Sequence, residues 1–183
     1  MFQSHNPALL VIDVQLAIDH FDTGDRNNPN AEKTIALLLK RWRKIGLPIA
    51  HICHASKFPD SPYYPHSPYF AFKPEVIPRE GEPVFTKSEN CAFIGTNLDE
   101  WLKECDIQDL VICGVLTNNS IDATVRVAAG LGYRVFVPED ATAAFPLKRL
   151  DGKHVPAEDV HWIFLSNLDT EYCRVCSAEE LHR

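Results

Sequence analysis

Apolar residues fall along the chain in two alternating patterns: short unbroken runs, and longer stretches at helical spacing. Residues 8–13 (ALLVID) are apolar until their terminal acid. Residues 47–53, 83–86, 109–114, 133–137 and 172–175 form further runs of this kind. Runs without polar alternation predict strands buried on both faces. Between them, residues 30–45 place Ile35, Leu38, Leu39 and Trp42 on one helical face, with Gly46 just beyond the end. Thr96 is placed to cap a helix carrying Leu98, Trp101, Leu102 and Cys105. Residues 120–131 read as a helix stopped by Gly132, and residues 157–168 as another. The alternation predicts an α/β fold of three layers, α/β/α. Its sheet is open, Rossmann-like and mainly parallel, with about six strands. Such sheets take ligands beyond the carboxyl ends of their strands. Asp13, Lys87 and the residues after Gly114 all fall at or just past predicted strand ends.

One segment breaks the rhythm. Residues 55–82 contain Pro59, Pro62, Pro65, Pro68, Pro74 and Pro78, with Tyr63, Tyr64, Tyr69, Phe70 and Phe72 among them. Long irregular loops in compact domains are functional or disordered. The aromatic content points to an ordered loop that covers the pocket or a subunit contact.

The composition narrows the class. With 183 residues the chain fits one domain, residues 1–183, at roughly 100–200 residues per domain. A hydrophobic fraction of 45% and a charged fraction of 23% are globular values. Lys+Arg 18 against Asp+Glu 25 leaves a net charge of −7, which argues against a nucleic-acid partner. No signal-like segment opens the chain, and no apolar run approaches the roughly 18 residues that would span a bilayer. A cytoplasmic, reduced protein is expected, so the six cysteines read as free thiols rather than three disulfides.

Three positions carry candidate chemistry. Asp13, at the end of a buried strand, can act as a general acid or base, or merely cap or pair. Lys87 can fix that acid's charge, or be an ordinary surface lysine. The stretch GVLTNNSIDATVR, residues 114–126, reads as strand, tight turn and helix. Ser120 at such a helix start sits in the positive end of the helix dipole, near backbone N–H groups that can stabilise an oxyanion. Its plainer role is a helix cap. Asp122 and Arg126, four apart, read as a helical ion pair.

Asp13 with Gln15, the KSENCAF stretch from Lys87 to Phe93, the elbow GVLTNNS, and the pairs Gly132-Tyr133 and Asp140-Ala141 occur in order. As a set they resemble the isochorismatase-like cysteine hydrolases, from about Ala8 to the C-terminus. The resemblance implies an Asp, Lys, Cys triad, with Asp13 as proton acceptor, Lys87 beside it and the nucleophile at Ser120. It implies a cis peptide at Val115–Leu116 that turns the Leu116 N–H, with that of residue 120, into an oxyanion hole. Gln15, Phe21, His54, Phe93 and Thr117 are the candidate pocket residues. The departure is Ser120, a serine where the family has its cysteine. The serine is natural to this branch, or introduced, or the reaction uses no covalent nucleophile, as in the family's true isochorismatases, where the Asp protonates a vinyl ether.

The remaining cysteines and histidines read as structural. Cys173 and Cys176 lie three apart on a predicted strand and so face opposite sides. Cys53, Cys105 and Cys113 sit in apolar runs; Cys91, near Lys87, is a candidate displaced nucleophile. His51 and His54 lack the Asp-x-His arrangement of the metal-binding nicotinamidase relatives, and His66 is a loop residue. No metal or cofactor is expected. The expected function is hydrolysis of the C–N bond of a small amide. The alternatives are vinyl-ether hydrolysis and a small-molecule-binding homologue that has lost activity. The expected partners are a small-molecule substrate and further copies of the chain, as a homodimer or higher homo-oligomer, with neither nucleic acid nor membrane.

Overall fold

A computed structural model describes residues 2–21 and 23–182, the last by its backbone only. The strands are β1 (Ala8–Ile12), β2 (Ile49–His54), β3 (Val84–Lys87), β4 (Asp109–Val115), β5 (Arg134–Pro138), β6 (Thr142–Ala143), β7 (Leu147–Lys148), β8 (His154–Val155) and β9 (Arg174–Cys176). The helices are α1 (Ala31–Ile45), α2 (Leu98–Glu104), α3 (Asp122–Gly130) and α4 (Ala157–Leu168). The main sheet has the order β3-β2-β1-β4-β5-β9, every pair parallel, and β6 adds a seventh strand beside the end of β4. β7 and β8 form a separate antiparallel hairpin.

The layers follow from the period of two along β1. Leu10 and Ile12 pack with Leu98 and Leu102 of α2, Val125 of α3 and Leu165 of α4. Leu9 and Val11 point the other way and pack with Ile35, Leu38, Leu39 and Trp42 of α1. The central strands are thus covered on both faces, as their unbroken runs require, whereas the edge strand β3 is not, with Val84 exposed. The indole of Trp42 donates to the Pro7 carbonyl at 2.9 Å, tying α1 to the start of β1. Gly46 ends α1 in the left-handed region at φ 69°.

Two features depart from the sequence expectation. The helix expected over residues 120–131 begins only at Asp122, because Thr117–Ile121 forms a wider turn of the π type. Such turns recur at functional sites and are invisible to apolar periodicity. β6, β7 and β8 are two residues long, too short to show a period. The proline-rich segment is ordered, as its aromatic content predicts, and is stitched to the chain after β1. Leu16 and Ala17 donate to the carbonyls of Ala71 and Tyr69, and Lys73 donates back to that of Val14. Among the described residues no helix is long and apolar enough to cross a membrane.

Gly114 lies hard against the backbone of β1. Its φ is +121°, and a Cβ there would lie 2.1 Å from the Ile12 carbonyl oxygen. Gly114→Ala is therefore expected to destabilise the protein by about 3 kcal/mol or more, read from urea unfolding. A loss below about 1 kcal/mol would show that β1 and β4 can separate at this point.

Candidate active site

The parallel ladder delivers three polar side chains to one place. Asp13 follows β1 with φ 57°, a left-handed conformation uncommon for a non-glycine residue. Its N–H donates to the Ile52 carbonyl of β2, and its own carbonyl accepts from Tyr63 Oη at 3.0 Å. Lys87 closes β3, in register with His54 of β2. Ser120 rides on the wide turn after β4, the other neighbour of β1. All three residues are at most 5% exposed.

They meet at one carboxylate oxygen. Lys87 Nζ donates to Asp13 Oδ2 at 2.7 Å, and Ser120 Oγ donates to the same atom at 2.6 Å. Lys87 Nζ also donates to Ser120 Oγ at 3.2 Å and lies 3.5 Å from His54 Nδ1. Asp13 Oδ1 is buried without a partner. Burial pushes the Asp13 carboxyl above its ordinary value of 3.8, against the lowering effect of the Lys87 charge and of the bonds from Lys87 and Ser120. Burial holds the His54 imidazole below the usual histidine range.

Above this contact lies a cavity of about 310 Å³. Asp13 and Ser120 are in its floor, and Val115 and Leu116, joined by a cis peptide, are in its wall. Phe21 and His54 line it as well. Lys87 lies beneath, its side chain fully buried. Three expected pocket residues are elsewhere. Gln15 is buried and spent on backbone: its amide donates to the carbonyls of His54 and Phe70 and accepts from the His54 N–H. Thr117 is buried and turned to His161 of α4, with Oγ1 2.9 Å from Nδ1. Phe93 stacks on Tyr133 against the α2 side of the core.

The cavity also uses residues that the sequence reading passed over. Tyr63 comes from the proline-rich loop and sits edge-on to His54 at 5.4 Å. Asn118 and Asn119 come from the elbow itself, and Phe145 from the segment after β6. The aromatic content of the loop was a signal for Tyr63. Phe145 carried none, since two residues of strand place it. Cys91 is buried outside the cavity, and burial pushes its thiol up. Cys53 is pushed up to about 12, and all six cysteines are free. Cys173 packs on the α2 side of the sheet and Cys176 on the α1 side. His51 pairs with Glu82 at 2.9 Å, apart from His54. Among the described residues no cluster of His, Cys, Asp or Glu is placed to hold a metal ion.

Comparison with known proteins agrees with this architecture. The isochorismatase domain matches residues 7–179. The uncharacterized isochorismatase family protein YrdC of Bacillus subtilis is 37% identical over 174 residues, covering 95% of this chain and 93% of that protein. A streptothricin hydrolase of Streptomyces noursei is 33% identical over 148 residues, 79% of this chain and 57% of the other. A crystallised isochorismatase-family protein from Chromobacterium violaceum superposes with a TM-score of 0.95 at 47% identity, covering 98% of this chain and 93% of that one. One from Oleispira antarctica gives 0.89 at 35% identity, covering 99% and 98%. Matched over nearly its whole length in both sequence and fold, the chain belongs to the isochorismatase family of hydrolases.

Proposed function

We propose that the protein hydrolyses the C–N bond of a small, uncharged amide, with Ser120 as nucleophile, Asp13 as general base and Lys87 as electrostatic partner. The observation that carries the reading is the shared Asp13 oxygen, bonded at once to the Ser120 hydroxyl and the Lys87 ammonium on a cavity floor. Ser120 Oγ attacks the amide carbon as its proton passes to Asp13 Oδ2. Lys87 Nζ, already bonded to Oγ, stabilises the negative charge that builds there. The charge on the former carbonyl oxygen is met by the N–H groups of Leu116 and Ser120, both at the cavity. Collapse breaks the C–N bond, and Asp13 returns the proton to the leaving nitrogen. Water then attacks the acyl-serine through the same base, releasing the acid and restoring the hydroxyl. The names of two relatives, a streptothricin hydrolase and a nicotinamidase of Arabidopsis thaliana, support hydrolysis, the second of an amide.

The wall favours an uncharged substrate. Asp13 is the one formally charged side chain among the described residues that line it. The Lys87 ammonium is engaged below, and His54 is held toward its neutral form. A substrate carboxylate would enter without a counter-ion, at a cost of several kcal/mol.

A second reading uses the same carboxyl as an acid toward a vinyl ether. It is favoured by the raised Asp13 pKa and the unpartnered Oδ1. The two readings part at Ser120.

Incubation with an activated amide is expected to give an acyl adduct on Ser120 by intact mass. Ser120→Ala is expected to lose amide hydrolysis by about 1000-fold or more. Unchanged amide turnover in that variant would exclude Ser120 as the nucleophile. Ser120→Cys is expected to raise the acylation rate, because a thiol ionises far more readily than a hydroxyl. Activity of the first reading needs the Asp13 carboxylate, so kcat/KM should rise with pH, with its midpoint above the ordinary 3.8. Lys87→Met removes a charge that lowers this pKa, so the residual activity should show its acid limb at higher pH; a limb moved to lower pH would exclude Asp13 as the base. Between matched amides, the one bearing a carboxylate is expected to show kcat/KM about 100-fold lower. Equal values would show that the cavity supplies a cation.

A further inference from the structure

His161 is a buried histidine outside the cavity, on the inner face of α4. Nothing in the hydrolytic chemistry uses it, yet each of its nitrogens has a fixed neighbour. Nδ1 lies 2.9 Å from Thr117 Oγ1. Nε2 lies 3.5 Å from Asn28 Nδ2, and that same Nδ2 donates at 2.8 Å to the carbonyls of both Glu139 and Thr142. A neutral imidazole has one N–H to give. The Thr117 hydroxyl can donate to Nδ1 or accept from it, so the contact forms in either tautomer. Burial holds the ring below the usual histidine range, toward its neutral form.

Thr117 opens the wide turn Thr117–Ile121 that carries Ser120. The turn is closed on its own backbone by bonds from Asn119 and Ile121 to the Leu116 carbonyl, at 3.0 and 3.2 Å. These fix its shape but not its place against the sheet. Thr117 is fully buried, so its hydroxyl needs a partner, and His161 is the partner found there. Asn28, at φ 45°, ties the segment before α1 to the Glu139 and Thr142 carbonyls behind the ring, so the imidazole stands on a rigid support.

We propose that His161 is a positioning residue: through Nδ1 it holds Thr117, and so sets where the turn places Ser120 relative to Asp13. The turn must deliver Oγ to a contact of 2.6 Å, and such contacts tolerate little displacement. The consequence for rate rests on Ser120 being the nucleophile; the consequence for the turn does not.

The two ring nitrogens can be tested separately. His161→Asn keeps a hydrogen-bonding group near the position of Nδ1, and His161→Gln keeps one near that of Nε2. Both variants should lose a similar amount of melting temperature. His161→Gln and Thr117→Val are each expected to lower kcat about 10- to 100-fold with KM little changed. His161→Asn should retain most of the native kcat. The double variant His161→Gln/Thr117→Val should be no worse than either single one. Backbone hydrogen exchange over residues 117–121 should quicken in His161→Gln and Thr117→Val but not in His161→Asn. Loss of kcat in equal measure for Asn and Gln, tracking the melting temperature, would overturn the proposal. Unchanged exchange over the turn in His161→Gln would do the same. If the native protein hydrolyses no amide, the exchange measurement alone still decides whether His161 holds the turn.

Discussion

The arrangement depends on a buried carboxylate whose single oxygen, Asp13 Oδ2, takes both the Lys87 ammonium and the Ser120 hydroxyl. Removing two charges from water costs several kcal/mol per ion, and their attraction offsets this only when geometry is tight and other bonds complete the set. Removing one partner would leave an uncompensated charge, at about 3–5 kcal/mol. The surrounding backbone is committed to that geometry. Asp13 takes a left-handed φ, Tyr63 holds its carbonyl, and Gly114 lets β4 press against the carbonyl of Ile12. β2 carries His54 between the strand ends that supply Asp13 and Lys87. An error of one residue in any of these registers would turn a side chain to the opposite face of the sheet.

The cover over this contact combines polar bonds with a small apolar cluster of Ile18, Ala31, Val115 and Ala143. Gln15 uses its whole amide to join the ends of β1 and β2 to the proline-rich loop. Lys73 of that loop pairs with Glu32 at the start of α1 and with Asp19, and Glu32 also holds Arg26. The prolines limit the loop's freedom before it folds, and the buried tyrosine at residue 63 then closes over the floor. An open crevice at the end of a parallel sheet becomes a walled cavity, and exclusion of water raises the strength of every charge interaction in it.

The same burial bears on serine as a nucleophile. A hydroxyl is much harder to ionise than a thiol and needs its base in contact. Asp13 provides that contact, and its raised pKa makes it a stronger base than an exposed aspartate. The cysteines elsewhere in the chain are placed differently. Cys53 and Cys91 are buried, with their thiols pushed up, and behave as small apolar residues.

The sequence by itself determined the layers and the place of the site. Unbroken apolar runs such as residues 8–12 and 109–113 need two covered faces, and only helices between parallel strands supply them. Strand ends marked Asp13 and Lys87 as candidates and the turn marked Ser120, but local features left each with a plainer role; the resemblance to the isochorismatase-like hydrolases joined them as a triad. The tertiary structure decided the rest. Gln15 and Thr117 have the right chemistry for a pocket, but their partners, His54, Phe70 and His161, lie 39 or more residues away in the chain. Phe145 enters the cavity by way of a two-residue strand, too short to leave a pattern. Periodicity reports which face a residue shows to the core. Which polar group meets which is set by registers between strands and by long-range packing, and no local spacing encodes those.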